Sequence, residues 1–249
     1  MGIIAAIGGG ELKDLETLSI DRAIVKLVKK KHPKVLFIPT ASGDARGYWE
    51  TFQIVYGEKL GCETEVLFLL NPKERPTATE RKRKILSADI VYVGGGNTLR
   101  MLNLWRKLSV DVVLQQAYEK GVILSGLSAG AICWFRYGES NPHWFMRDGK
   151  RIGIPLRVRG LDLLPFTCSP HHIREKAERM RKLPLMMQRT PGIALALDDN
   201  AAVVFRDNQY EVITSVSGAK VQKVFREGKI VRWRTIEKTG SVSELRKKQ

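Results

Sequence analysis

Short apolar runs rich in β-branched residues recur along the first half of the chain, at residues 3–7 (IIAAI), 35–38 (VLFI), 66–70 (VLFLL), 90–93 (IVYV) and 122–125 (VILS). Each is short enough for a strand buried on both faces, where apolar residues need not alternate with polar ones. The segments between them, residues 20–31, 49–60 and 98–108, space their apolar positions at helical intervals. Strands alternating with helices predict βαβ crossovers, and hence a parallel sheet covered on both faces. Most of these runs end in Gly, Ser, Thr or Asn. Small polar groups therefore fall at the C-terminal edge of the strands, where open α/β sheets bind ligands.

Beyond about residue 192 the pattern changes. Runs at 202–205, 210–213, 221–225 and 230–233 are separated by Asp207-Asn208 and Glu227-Gly228, which are hairpin turn signals. They predict antiparallel strands attached to the parallel sheet, with residues 1–249 forming one domain. Residues 241–249 read as a short helix or tail. Residues 136–159, with Asn141-Pro142 and Asp148-Gly149, read as a long loop or β excursion that could serve as a lid. Trp144 or Phe145 within it is a candidate pocket wall.

Composition narrows the setting. The three cysteines, Cys62, Cys133 and Cys168, are odd in number and widely spaced, which argues against a disulfide framework and for a reducing compartment. The opening MGIIAAIGGGE has no basic region and its apolar run is broken by glycines. No segment approaches the ~20 apolar residues of a bilayer span, so a cytoplasmic protein with no membrane partner is expected. The formal charge of +16 invites a nucleic-acid partner. The cations, however, sit in Lys29-Lys30-Lys31, residues 81–84, residues 174–182 and residues 246–248, on helix faces or ends. That distribution fits a solvated surface, and no nucleic-acid module accompanies it.

The candidate chemistry begins at residues 122–135, VILSGLSAGAICWF. A strand delivering Gly-x-Ser-x-Gly into a helix forms a nucleophile elbow, in which small neighbours allow the sharp bend that exposes the serine. Ser128 is the candidate nucleophile, flanked by Gly126, Ala129 and Gly130, and the Ala129 N–H is placed to stabilise an oxyanion. A second glycine cluster, VGGGNT at residues 93–98, follows the preceding strand and could supply another donor. It lacks the spacing of a nucleotide loop. A serine hydroxyl needs a base. His171 and His172, delivered by Ser169-Pro170, are better placed than His32 at a lysine-rich helix end. Asp198 and Asp199, closing the run GIALAL, are candidates for the carboxylate that orients the imidazole.

These motifs together resemble the S51 serine peptidases, a family including dipeptidase E and the cyanophycinases. The resemblance runs through VGGGNT, GLSAGAICWF, the GLDLLP segment at residues 160–165, SPHH and GIALALDDNAAV. It implies a three-layer α/β/α sandwich with a mostly parallel sheet, similar to class I glutamine amidotransferases and flavodoxin-like folds, with serine replacing the nucleophilic cysteine. It implies Ser128 as nucleophile, His171 as base, and Gly96 and Ala129 as oxyanion donors. Where the family usually has a glutamate, this chain offers Asp199 or Asp198, with Glu139 as a third possibility. An earlier family Asp falls near Glu139-Ser140-Asn141 and is replaced by Asn141.

The resemblance also implies an exopeptidase acting on short peptides with an acidic N-terminal residue, without metal or organic cofactor. Gly95 and Asn97 beside the nucleophile are candidate substrate-binding residues, and Arg174 or Arg179 is suited to hold the substrate carboxylate. Cyanophycinases usually carry Gln after the glycine triplet and Thr before the nucleophile. Here those positions are Asn97 and Leu127, which favours the dipeptidase branch. The competing expectations are a cyanophycinase-like peptidase and a non-catalytic flavodoxin-like module for phosphate or nucleic acid. Assembly into a homo-oligomer stays open.

Overall fold

The computed structural model describes residues 2–140, 145–147, 150–152 and 156–247. Its strands, in chain order, are β1 (Ile3–Ile7), β2 (Lys34–Ile38), β3 (Glu63–Val66), β4 (Ile90–Val93), β5 (Ile123–Leu127), β6 (Phe135–Ser140), β7 (Phe145–Arg147), β8 (Lys150–Ile152), β9 (Leu156–Arg159), β10 (Leu164–Ser169), β11 (Ile193–Leu197), β12 (Ala201–Arg206), β13 (Gln209–Thr214), β14 (Val221–Glu227), β15 (Ile230–Thr235) and β16 (Thr239–Ser241). The helices are α1 (Leu18–Lys26), α2 (Arg46–Phe52), α3 (Ala78–Leu86), α4 (Thr98–Leu108), α5 (Val110–Glu119), α6 (Ala129–Ile132), α7 (Lys176–Gln188) and α8 (Val242–Leu245). A π-helical turn at Gln53–Lys59 extends α2. Among the described residues no helix is long and apolar enough to cross a membrane.

The strands divide between two large sheets and a small hairpin of β7 and β8. The first sheet runs β16-β13-β12-β1-β5-β4-β2-β3. Its strands from β1 to β3 are parallel, and β12, β13 and β16 add to one edge antiparallel. Along β1, Ile4 and Ala6 enter one core while Ala5 and Ile7 enter another. Along β2 the same alternation separates Leu36 and Ile38 from Val35 and Phe37. Burial on both faces is why these strands carry unbroken apolar runs.

The second sheet runs β15-β14-β11-β10-β6-β9. Ile193, Leu195 and Leu197 of β11 face the core shared with the first sheet, and Ala194 and Ala196 face Leu183 and Met187 of α7. Large residues on one face and alanines on the other let α7 approach closely. The two hairpins expected after residue 192 therefore part company, β12–β13 joining the first sheet and β14–β15 the second.

One predicted strand is displaced. The run 66–70 forms a strand only at Glu63–Val66. Past Leu67 the amides of Leu69 and Leu70 both donate to Asp44 Oδ2, at 2.7 and 2.6 Å, and Arg75 binds the Leu69 and Leu70 carbonyls. Side-chain partners thus draw the chain off the ladder, a competition that apolar patterning does not report. The 136–159 region contains β6 to β9, so its described part is a β excursion. Asn141, Pro142, His143, Trp144, Asp148 and Gly149, with the side chain of Phe145, lie outside the described residues.

Candidate active site

The C-terminal ends of β1, β4 and β5 lie side by side, because β5 pairs with both β1 and β4. Ser128 stands where β5 passes into α6, with φ 57° and ψ −110°. Such a conformation is sterically costly for a residue with a Cβ and persists only where its surroundings enforce it. The tight bend depends on small neighbours: a Cβ at Gly130 would lie 2.0 Å from the Val93 carbonyl oxygen. The glycine loop after β4 flanks the serine, and a Cβ at Gly95 would lie 3.5 Å from that of Ser128.

His171 comes from the segment after β10 and is held at φ 63°. Its Nε2 lies 2.7 Å from Ser128 Oγ and its Nδ1 2.7 Å from Asp199 Oδ1. The other Asp199 oxygen accepts from the Arg174 amide at 2.8 Å. Burial alone would raise the Asp199 carboxyl, but the His171 contact and the Arg174 amide outweigh it and hold the group below its usual range. An ionised Asp199 only accepts, so His171 carries its proton on Nδ1 and offers Nε2 as acceptor to the Ser128 hydroxyl.

The other two candidate carboxylates point elsewhere. Asp198 accepts from the Lys220 amide at 3.0 Å, fixing the β11 terminus to the start of β14. Glu139 is buried, with Oε2 accepting from Ser169 Oγ at 2.5 Å and lying 3.5 Å from Arg179 Nη1. Ser169 has one hydroxyl proton. Given to that carboxylate, it leaves His172 Nε2, 2.8 Å away, as the donor to Ser169 Oγ. The adjacent histidines thus diverge, His171 toward Ser128 and His172 into a buried network beside Trp233.

A cavity of about 500 Å³ opens over Ser128 and His171, within the range of small-ligand sites. Gly95, Gly96, Arg174 and Arg179 line it. So do Glu11, Lys13 and Tyr48, which motif reasoning missed. The signal for Glu11 and Lys13 was the glycine run 8–10, which follows a strand just as the second glycine cluster does, whereas Tyr48 comes from α2. Asn97 is not among the lining residues. Its side chain caps α4, accepting from the Arg100 amide at 2.9 Å. Both arginines are already paired: Arg174 with Glu11 and Glu16, Arg179 with Glu139 and Glu175.

Residues 4–213 match the model of peptidase family S51. The chain is 33% identical to the "Uncharacterized peptidase YgaJ" of Bacillus subtilis (strain 168) over 223 residues, 89% of this chain and 91% of that one. It is 26% identical to the "Probable alpha-aspartyl dipeptidase" of Drosophila melanogaster over 149 residues, 59% and 56% of the two chains. A crystal structure of a peptidase from an acI-B1 Actinobacterium shares the fold at TM-score 0.68, with 18% identity and 97% of each chain covered. The chain belongs to peptidase family S51.

Proposed function

We propose that this protein is a serine exopeptidase that hydrolyses dipeptides and other short peptides with an acidic N-terminal residue, using Ser128 as nucleophile, His171 as base and Asp199 as the group that orients the base. The observation that carries this reading is the unbroken hydrogen-bonded line Ser128 Oγ, His171 Nε2, His171 Nδ1, Asp199 Oδ1, with both contacts at 2.7 Å. The relative named "Probable alpha-aspartyl dipeptidase" supports the substrate class.

His171 accepts the Ser128 proton as the oxygen attacks the peptide carbonyl, and the turn at Ser128 acts as the nucleophile elbow. The tetrahedral oxyanion rests on the N–H groups of Gly96 and Ala129. His171 then protonates the leaving amine, and water releases the acyl group by the same route in reverse. Of the two arginines, Arg174 is the better receptor for the substrate side chain. It is about half exposed, and its pairs with Glu11 and Glu16 lie at the surface, where exchange of carboxylates costs little. Arg179 is buried against the Glu139 carbonyl and carboxylate and forms the wall. The three free, buried cysteines suit a cytoplasmic setting.

A fluorophosphonate probe tests the nucleophile. The wild type should form one adduct at Ser128, and Ser128→Ala should form none and hydrolyse no aspartyl peptide. Hydrolysis that persists in Ser128→Ala would refute the assignment.

A further inference from the structure

Three successive carbonyls at the end of β1 each receive an N–H from a different segment of the site. Ile7 O accepts from Ser128 N at 3.0 Å, Gly8 O from His171 N at 3.2 Å, and Gly9 O from Asn200 N, the residue after Asp199, at 2.9 Å. β1 lies between β5 and β12, so its carbonyls serve both neighbours, and past the ladder they reach the segment after β10 as well. The three donors share a second property. Ser128, His171 and Asn200 have φ of 57°, 63° and 63°, and are three of the eight non-glycine residues with positive φ among the described residues. Costly backbone conformations persist where surrounding bonds over-determine them. Here one strand end supplies a bond to each.

The side-chain space above this strand end is occupied by the site itself. A Cβ at Gly9 would lie 2.1 Å from Asp199 Oδ1 and 2.5 Å from His171 Nδ1, the two atoms of the Asp199–His171 hydrogen bond. The backbone of Gly9 therefore packs directly against that bond. Any larger residue would enter the bond before it met anything else.

We propose that residues 7–9 are a positioning element: their backbone sets the three active-site segments in register, and Gly9 is a glycine because its missing side chain is the space in which Asp199 and His171 meet. This rests on the assignment of Ser128, His171 and Asp199 made above. The element acts through those residues and touches no substrate.

The test compares Gly9→Ala, Asp199→Ala and the double variant with wild type, by saturation kinetics of fluorophosphonate labelling, which does not depend on knowing the substrate. Gly9→Ala should lower the maximal labelling rate by about 10²-fold or more, the effect of a misplacement near 1 Å, with little change in the half-saturating probe concentration. Once Asp199→Ala has removed the carboxylate and given the His171 ring room to shift from the added methyl, Gly9→Ala should cost markedly less than it does in the wild-type background. If Gly9→Ala fails to fold alone but folds in the Asp199→Ala background, the clash lies where the proposal puts it. Failure to fold in both backgrounds, near-native labelling by Gly9→Ala, or losses that multiply in the double variant would overturn it. Ser128→Ala keeps the two questions apart. An inert Ser128→Ala beside a fully reactive Gly9→Ala sinks the positioning role alone, whereas adduct formation in Ser128→Ala sinks the assignment beneath it.

Discussion

At the scale of single residues, two neighbouring pairs are divided by their surroundings. His171 and His172 are adjacent, yet one contacts Ser128 and the other a buried serine. Asp198 and Asp199 are adjacent, yet only Asp199 reaches an imidazole. Asp199→Asn should keep the shape of the contact but favour the wrong imidazole tautomer, lowering kcat by about 10⁴ as in serine hydrolases with this arrangement. Asp198→Asn should cost activity far less, and steady-state hydrolysis of an aspartyl p-nitroanilide by the two variants checks the contrast. Arg174→Ala should raise KM for that substrate more than it lowers kcat, because it removes binding shared by ground state and transition state.

At the scale of elements, α1 is joined to the π-helical turn by a buried carboxylate. Asp21 accepts from Tyr56 Oη at 2.7 Å and from Thr17 Oγ1 at 2.8 Å. Burial nevertheless pushes its carboxyl from 3.8 up to about 6, against the two hydrogen bonds. An unfolded chain releases this proton near 3.8 and the folded chain holds it to about pH 6, so the contribution to stability falls as pH rises between those values. Asp21→Asn carries no such charge. Relative to the variant, the wild type should lose on the order of 3 kcal/mol between pH 4 and pH 7, read by urea unfolding at the two values. Thr98–Leu108 and the two C-terminal hairpins were legible as elements, because local spacing and turn residues specify them. Which sheet each hairpin would join was not, since β12 finds β1 and β14 finds β11 through tertiary packing that local patterning does not specify.

At the scale of the whole molecule, His172 sits where β10, β11 and β15 of the second sheet come together, within reach of the Arg179 charge on α7. Burial first, and then the Arg179 charge, push its imidazole from 6.5 down to about 3. The unfolded chain binds a proton below 6.5 that the folded chain refuses until about pH 3, so stability falls as the solution is acidified through that window. The sign is opposite to that of Asp21, and between pH 4 and 6 the two dependences offset each other. His172→Gln should remove an acid-side loss on the order of 5 kcal/mol. A variant that unfolds with the same slope as wild type between pH 6.5 and 4 would show that this histidine is not held neutral.

The candidate nucleophile and the class of fold were legible in the amino-acid order alone. A serine between Gly126 and Gly130 after an apolar run specifies a strand, a bend and a helix through contacts only a few residues apart. The choice of partners was left to the tertiary structure, because His171 lies 43 residues from Ser128 and Asp199 a further 28 along the chain. Their meeting depends on how two sheets pack, and Gly8 and Gly9 after the first strand give no chemical signal until the space left by their missing side chains is seen to be filled.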